Sequence, residues 1–426
     1  MCTFANRLIS PNNKLRIIVG GMVGQFPLGG VAWDYFHYLL GLSELGHDVY
    51  YHEDTWCWPF DPVKGFPSDD PTYAINFLRS FFRQHAPHLA DRWHFLFLHE
   101  QSFGMERSRF DEIARTADVF LNVSGASFFP EALNPSAIKV FMDTDPGYNQ
   151  IMLHERHKWS QNVDRWCQQV ASHDRHLTYA ENIYADDCLL PRLDFDWRPT
   201  RCVVTLPPWE SIRQQPPPAN APFTTVMSWT FFGGPLTYNG REYGAKGPEF
   251  NRFNDLPKRS KVPIFVAIAG QHKPGAEIVA AGWNMADGWP LTLTPESYMK
   301  FIADSAGEWS VAKNVYVAPR TGWFSCRTAC YLAAGRPAVV QETGWSEYVP
   351  AGEGIIAFNT LEECLDALDR VTADPHRHRT AAYEIAREYL AADRVLPPMI
   401  ETIFSTERIL PPGKQINEQR ATSNEQ

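Results

Sequence analysis

The sequence lacks the segments that would place a protein in a membrane or outside the cell. Its N-terminus, MCTFANRLISPNNKLRIIVGG, has no secretory apolar region, and no apolar run is long enough to span a bilayer. The eight cysteines are scattered and include no C-x-x-C pair, so neither a zinc site nor a disulfide framework is indicated. We therefore expect a cytoplasmic protein with no transmembrane segment and no metal site.

Positive charge is also scarce. The chain has 39 Lys and Arg against 49 Asp and Glu, a net charge of −10, so we expect no nucleic-acid-binding surface, although local arginines can still bind a phosphate. Its composition, 44% hydrophobic and 21% charged, is that of a globular protein. At 426 residues the chain is long enough for two domains.

The first half of the chain alternates short apolar runs with helical patterns. KLRIIVGG predicts a buried strand, a long helix follows, and DVYYHED predicts the next strand, which together form a β–α–β unit. RWHFLFLHE, ADVFLNVSG and AIKVFMDTDPG predict further parallel strands. The pattern indicates a doubly wound, Rossmann-like α/β domain over residues 1–205, with ligands at the carboxyl ends of its strands.

After a proline-rich linker at 206–222 the alternation begins again. FTTVMSW, VPIFVAIAG, NVYVAPR and PAVVQET predict strands, and PEFNRFNDLPKR, PESYMKFIADS and CRTACYLAAG predict helices between them. We assign a second Rossmann-like domain to 223–385, a closing helix to 386–410 and a disordered tail to 411–426. Two such domains bind ligands in the cleft between their facing strand ends.

A turn before the helix CRTACYLAAG is the strongest candidate for an anion site. Free backbone N–H groups and the helix dipole favour negative charge at a helix N-terminus, and arginine supplies a permanent charge for phosphate. Arg327 lies in the first turn, where a cation opposes the dipole, and we expect a bound phosphate to explain its presence. The alternatives are an ordinary loop, and Ser325 as a helix cap. The candidates are Arg320, Thr321, Gly322, Trp323, Phe324, Ser325, Arg327 and Thr328.

Two longer stretches resemble the GT-B glycosyltransferases. LAAGRPAVVQETGWSEYV is similar to the sugar-nucleotide-binding domain of the family-4-like group (glycosyl transferases group 1), and GQFPLGGVAWDYFHYLLGLSELGHDVYYHED is similar to the N-terminal pattern of these enzymes. The likeness extends over about residues 14 to 400 and includes bacterial glycosyltransferases. The resemblance implies two Rossmann-like domains facing each other across a cleft. It also implies transfer of a sugar from UDP-sugar or another NDP-sugar to an unknown acceptor hydroxyl or amine, without a metal and with no other cofactor.

The resemblance also implies roles for individual residues. Gly29 and Gly30 would approach the donor diphosphate, although a plain tight turn is the alternative. Arg241 and Lys246 resemble the basic pair that neutralises the leaving diphosphate, Lys313 is a weaker candidate of that kind, and Glu347 would contact the donor. Asp34 and His37 lie near the position of the catalytic base of inverting GT-B enzymes, with Asp34 better placed.

Carboxylates at strand ends are further candidates. Asp143 and Asp145 in DTDP would bind acceptor hydroxyls or take a proton at the cleft, although capping the following helix, with Pro146 at its first position, is nearly as good an explanation. We do not expect this D-x-D pair to bind metal, because it ends a strand of a different architecture. Glu181 in YAENI lies at the same edge.

One departure from the family pattern leaves the activity open. The two glutamates that family-4 enzymes usually carry here would fall at Gly322 and Cys330. This puts the family-4 mechanism and its retaining outcome in doubt. The alternatives to glycosyl transfer are a nucleotide-sugar 2-epimerase of the same fold and a noncatalytic protein that binds sugar nucleotides or glycans.

Overall fold

The structure is a computed structural model that describes residues 14–155, 161–229, 234–270 and 273–407. The predicted tail at 411–426 and the end of the predicted closing helix lie outside these residues. In the described chain, two mainly parallel sheets follow one another, each with helices on its faces. The α/β fold with two Rossmann-like domains is therefore confirmed.

The first sheet has eight strands in the described residues, in the order β10-β9-β8-β7-β1-β2-β5-β6. All neighbours are parallel except β5 and β6, and β3 and β4 form a separate hairpin. The strands are β1 (Arg16–Gly20), β2 (Asp48–Glu53), β3 (Phe60–Asp61), β4 (Phe66–Pro67), β5 (Trp93–Phe97), β6 (Gln101–Gly104), β7 (Val119–Val123), β8 (Ile138–Asp143), β9 (Arg175–Thr178) and β10 (Trp197–Pro199). The helices of this half are α1 (Gly29–Glu44), α2 (Thr72–His85), α3 (Arg107–Ala114), α4 (Tyr148–His154) and α5 (Gln161–Ala171).

The second sheet has six parallel strands within the described ranges, in the order β15-β14-β11-β16-β17-β18. Its strands, with the hairpin β12–β13, are β11 (Phe223–Ser228), β12 (Leu236–Tyr238), β13 (Arg241–Tyr243), β14 (Ile264–Ala269), β15 (Asn284–Asp287), β16 (Gly307–Ser310), β17 (Ala338–Gln341) and β18 (Ile355–Phe358). The helices are α6 (Glu210–Arg213), α7 (Gly247–Asn251), α8 (Leu256–Arg259), α9 (Ala276–Ala280), α10 (Gly288–Leu291), α11 (Pro295–Ala303), α12 (Asn314–Val317), α13 (Cys326–Ala333), α14 (Leu361–Ala373), α15 (Pro375–Ile385) and α16 (Ala392–Phe404).

The prediction of a strand at NVYVAPR is wrong. The strand of this unit is β16, and NVYV forms the short helix α12. The backbone N–H groups of Asn314 and Val315 donate to Ala245 O and Gly244 O, at 3.1 Å each, which fixes this segment against the loop after β13. A short apolar run does not distinguish a strand from a buried helical turn, so tertiary contacts decide its structure.

Two predicted helices are also divided. PEFNRFNDLPKR forms the short helices α7 and α8 rather than one helix. The C-terminal helical stretch consists of α15, a π-helical turn at Ala386–Leu390, and α16. The break brings Ala391 into a parallel bridge with Val204, so the end of the chain returns to the first domain.

One hydrophobic core spans both domains. Helix α1 packs against α11 of the second domain and against α16. Trp33 of α1, Tyr298 of α11 and Leu332 of α13 are all buried in the same apolar cluster. This shared core fixes the N-terminal half of α1 at the boundary between the domains. No helix among the described residues is both long and apolar enough to cross a bilayer.

Candidate functional site

Asp145 forms one of the charged contacts between the two domains. It follows β8 in the first domain, and its Oδ1 atom lies 2.6 Å from Nζ of Lys313, which precedes α12 in the second domain. The Tyr316 hydroxyl donates to the same oxygen. Burial would raise the pKa of Asp145, but the Lys313 ammonium and the two hydrogen bonds hold that pKa below its ordinary value. Asp145 is therefore a half-exposed, ionised carboxylate at the boundary between the domains.

Asp34 is a second carboxylate at this boundary. It lies in the first half of α1 and is partly exposed, with the Cys326 thiol nearby. Burial raises the pKa of Asp34 to about 7, and the nearby Asp145 carboxylate adds to the rise, while Arg327 and the Cys326 thiol oppose it. A carboxylate with a pKa near neutrality has the acidity of a general base.

Asp143, by contrast, is engaged inside the first domain. Its carboxylate is fully buried and accepts hydrogen bonds of 2.6 Å from each of Asn149 Nδ2, Gln150 Nε2 and Thr178 Oγ1. Burial raises the pKa of Asp143 to about 6, and these three hydrogen bonds oppose the rise. The Asp143 side chain thus links β8 to α4 and β9. In this structure its contacts are those of a residue that stabilises the fold.

Arg327 has an anionic partner within its own domain. Its Nε lies 2.7 Å from Oε1 of Glu308, a fully buried carboxylate on β16, and its other nitrogens donate to Val226 O and Ser310 Oγ at 2.9 Å. A bound phosphate is therefore not needed to explain a cation in the first turn of α13, and contact of Arg327 with the donor stays a prediction. Glu308 supplies the negative charge that offsets the helix dipole there.

Lys246 has no such partner. It precedes α7 and is 6% exposed, and its side-chain ammonium makes no hydrogen bond or ion pair with any described residue. Burial lowers the pKa of Lys246 well below its ordinary value, and the nearby charges of Arg327 and Lys313 lower it further, against a smaller opposing effect of Glu308. A buried ammonium beside two other cations is stabilised when an anion binds.

The predicted anion turn is held largely by contacts to the first domain. Asn182, after β9, lies between two glycine turns of the second domain: its N–H donates to Thr321 O and its Nδ2 donates to Arg320 O, at 3.1 Å each. A Cβ on Gly322, whose φ is +79°, would lie 2.7 Å from Asn182 N. Trp323 Nε1 donates to Thr144 O at 3.1 Å. The turn is therefore part of the interface between the two domains.

The remaining residues of this turn have separate surroundings. Arg320 is on the surface, in ion pairs with Asp187 and with Glu347, the predicted donor ligand. Phe324 is buried and packs edge-on against Trp345, and Thr328 is buried in α13. Ser325 precedes α13 without a side-chain capping hydrogen bond. Ser325, Thr328 and Trp323 line a small cavity with the carboxyl ends of β16 and β17.

The glycine pair of α1 contacts the second domain directly. Gly29 N donates to Thr292 O at 3.1 Å, and a Cβ on Gly29 would lie 2.2 Å from Thr294 O. Gly30 has more space, because the nearest atom to its Cβ would be a ring carbon of Tyr298 at 3.3 Å. The close approach that requires glycine at position 29 is thus to the backbone that precedes α11.

The other candidates are dispersed. Arg241 is exposed on β13. His37 is buried, accepts a hydrogen bond from Thr205 N at 3.1 Å, and has its pKa lowered to about 3 by burial. Glu181 pairs with Arg201, and burial raises the pKa of Glu181 to about 7 against the effect of that arginine. The structure therefore brings together Asp34, Asp145, Lys246, Lys313 and Arg327.

Three residues with roles at this site were missed by sequence reasoning. Tyr316 contacts Asp145, Glu308 neutralises Arg327, and Asn182 joins the domains. No motif marks them, although Glu308 in the apolar strand GEWS is a buried acid, which is itself a signal for a buried cation. Among the described residues no group of three or more His, Cys, Asp or Glu could hold a metal ion.

Comparison with known proteins agrees with this architecture. Residues 259–395 match the glycosyl transferase-like family. An α-glucosyltransferase in complex with UDP and a 13-mer DNA containing an HMU base superposes with a TM-score of 0.56 at 11% identity, covering 92% of this chain and 100% of that one. HepE of Anabaena, in complex with UDP-glucose, superposes with a TM-score of 0.51 at 13% identity, covering 91% and 99%. The sequence matches no curated protein.

The two domains have the GT-B fold of these glycosyltransferase structures. The match to the glycosyl transferase-like family covers residues 259–395, in the C-terminal half of the chain.

Proposed function

We propose that the protein transfers a glycosyl group from UDP-sugar, or another NDP-sugar, to an acceptor hydroxyl or amine without a metal ion. The observation that carries this proposal is Lys246, a buried ammonium with no anionic partner in the described chain, next to Lys313 and Arg327. A diphosphate supplies the missing negative charge. The UDP and UDP-glucose complexes of the similar structures support a nucleotide-sugar ligand for this cleft.

The proposed reaction uses Asp34 as the base. An ionised Asp34 carboxylate takes the proton of the acceptor hydroxyl, the acceptor oxygen forms a bond to the anomeric carbon, and the bond from that carbon to the phosphate oxygen breaks. The electron pair leaves with the nucleoside diphosphate, whose added charge Lys246 and Lys313 stabilise. Asp145 keeps Lys313 in place and raises the pKa of Asp34.

Lys246 also gives the proposal a proton signature. Burial and neighbouring cations lower the pKa of this amine, and a bound diphosphate would raise it, because the added negative charge favours the protonated form. Donor binding should therefore take up protons, and donor affinity should fall as the pH rises. Calorimetry of UDP-glucose or UDP binding in two buffers with different ionisation enthalpies measures this uptake.

The matched variants for this test are Lys246→Met and Arg241→Ala. Lys246→Met should weaken UDP binding about ten- to a hundredfold, since it removes a charge-assisted contact. The exposed Arg241 lies in the same segment, and we expect its replacement to change affinity by less than about fivefold. Equal losses in both variants, or none in Lys246→Met, would contradict the assignment of Lys246.

The activity itself is tested by incubating the protein with a panel of nucleotide sugars, with and without an acceptor mixture. Glycosylated acceptor together with released nucleoside diphosphate supports transfer. A donor isomerised without acceptor would identify an epimerase, and binding without turnover would identify a noncatalytic protein. Activity that is abolished by a chelator and restored by a divalent ion would refute the metal-free reaction.

Fractionating cells tests the cytoplasmic location that we infer from cysteines with no disulfide among those described.

A further inference from the structure

A second cavity lies in the first domain, at the carboxyl ends of β2 and β5. It has a volume of about 290 Å³ and is covered by the start of α3 and by the loop after β7. This volume is close to the lower limit for ligand pockets, roughly 300 Å³. We call it the His–Asp cavity. Its lining includes His52, Asp54, His99, Arg107, Phe128 and Phe129.

Two buried polar atoms of the lining have no partner in the described chain. Asp54 is 4% exposed, and its Oδ2 accepts a hydrogen bond of 2.6 Å from His99 Nδ1, while its Oδ1 makes none. His52 is 1% exposed, and its Nδ1 lies 3.1 Å from His94 Nδ1, while its Nε2 is without a partner. A buried polar atom without a hydrogen bond is destabilising, so two in one cavity indicate a ligand that supplies the bonds.

The histidine contacts are compatible with two acceptor atoms. His94 Nε2 lies 3.1 Å from Ser102 Oγ. When His94 donates to Ser102 through Nε2, its Nδ1 accepts from His52 Nδ1, and His52 Nε2 is left with a lone pair. Burial lowers the pKa of His52 well below its ordinary value, and the neighbouring His94 lowers it further, so the ring is neutral at physiological pH. With Asp54 Oδ1, this arrangement gives a donor-bearing ligand two acceptors.

The charge of the cavity favours a cation. Three carboxylates line it, those of Asp54, Asp111 and Glu131, against the single guanidinium of Arg107, which pairs with Glu131 at 2.8 Å. The rings of Phe110, Phe128 and Phe129 also line it, and aromatic faces attract ammonium groups. An organic cation fits better than a metal ion, because no metal-binding group of three ligating side chains occurs among the described residues.

Backbone strain at the same place is independent of these contacts. Leu98 and His99 follow β5 with φ of +51° and +61°, two consecutive non-glycine residues in the left-handed region. Such strain persists where surrounding structure enforces it and is concentrated at functional sites. Here the hydrogen bond to Asp54 and ring contacts to Trp56 and Phe128, with centroids 5.3 and 5.1 Å away, hold the His99 ring.

We propose that the His–Asp cavity binds a small ring compound that carries a protonated amine. The ammonium donates to Asp54 Oδ1 and His52 Nε2, and the ring packs against the phenylalanines. This site does not depend on the glycosyl transfer proposed above, because it includes none of Lys246, Lys313 and Arg327.

The test compares three probes of one shape on the full-length protein: cyclohexylamine, cyclohexanol and cyclohexanecarboxylate. We expect the amine to bind at least about tenfold more tightly than the alcohol, because only the protonated amine brings a positive charge and more than one donor to a buried carboxylate. The carboxylate should bind least, because its charge repels that of Asp54. Calorimetry gives the affinities. Nitrogen NMR of the histidine rings should show perturbation of His52 and His99 by the amine.

The matched variants are Asp54→Asn and Asp111→Asn. Asp54→Asn should lose about tenfold or more in amine affinity, whereas Asp111, a less buried lining carboxylate, should matter less than about threefold. UDP binding should be unchanged in both. Equal binding of amine and alcohol to the unmodified protein would overturn the proposal whether or not Asp54→Asn folds, and so would full amine affinity in a folded Asp54→Asn.

Discussion

Lys313 of the second domain lies 2.6 Å from Asp145 of the first, and this ion pair crosses the domain boundary next to Asp34. The side chains are 26% and 43% exposed, so solvent screens the pair and its stabilisation is small, no more than about 1 kcal/mol. Its larger effect is on position: it holds an ammonium where the proposed leaving group needs one. The pair also keeps Asp145 near Asp34, whose pKa Asp145 raises.

Lys313→Met should lower stability slightly and in a pH-dependent way. The folded pKa of Asp145 is below its ordinary value of 3.8, so its contribution is present above about pH 4 and is lost as the pH falls through the folded pKa. Urea unfolding should therefore separate the variant from the parent by up to about 1 kcal/mol at neutral pH and not at pH values below that pKa. Lys300→Met, which breaks the exposed pair with Asp304 inside α11, is the control and should leave the titration of Asp145 unchanged.

Arg327→Ala should destabilise the free protein by about 3–5 kcal/mol, because it leaves Glu308 buried and unpaired. Denaturant unfolding without ligand measures this loss. The double variant Arg327→Met/Glu308→Gln removes both charges and should recover much of it. An Arg327→Ala protein as stable as its parent would show that the pair is dispensable and would return attention to phosphate as the partner of Arg327.

Asp34→Asn should reduce kcat by about a hundred- to ten-thousandfold and leave the fold intact, if Asp34 is the base. Because the pKa of Asp34 is raised to about 7, activity of the parent should rise with pH through about 7 as the carboxylate ionises. A raised carboxyl pKa also means that folding binds a proton, so Asp34 stabilises the folded parent below pH 3.8 and this stabilisation is lost as the pH rises to about 7. The stability of Asp34→Asn should therefore fall less than that of the parent between these pH values. Glu44→Gln, at the other end of α1, is the control. A pH profile that is unchanged in residual Asp34→Asn activity would exclude this base.

Gly29→Ala and Gly30→Ala should differ although the residues are adjacent in α1. The new Cβ at position 29 would lie 2.2 Å from the backbone oxygen of Thr294, so the domains must shift, at a cost of about 1–3 kcal/mol. At position 30 the closest atom is a ring carbon of Tyr298 at 3.3 Å, and alanine gains up to about 1 kcal/mol in helix propensity. Thermal unfolding of the two variants checks the order. Equal melting temperatures would mean that the contact at Thr294 relaxes freely.

The repeated strand and helix pattern was enough to predict both sheets, because buried parallel strands are short apolar runs with clear ends, as in RIIVG and IFVAIA. The sequence also singled out Asp34, Asp145, Lys246 and Lys313, whose roles stay predictions. The sequence does not show which distant residues contact each other in the fold. Glu308 and Arg327 lie on different elements, and Asn182 reaches the glycine turns at 322 and 344 from the other domain. Such contacts depend on tertiary packing, as does the helical turn at Asn314–Val317.

The shared core has a consequence for dissecting this protein. Trp33 packs against Trp209, and the same apolar cluster continues through Tyr298 and Leu332 to α16, which returns to α1 from the far end of the chain. A fragment that ends before the second sheet would carry α1 with its apolar side uncovered, and a fragment that begins there would lack the surface on which α11 and α16 rest. We therefore expect each half to aggregate when expressed alone, and the two halves to recover a native assembly only when they are produced together.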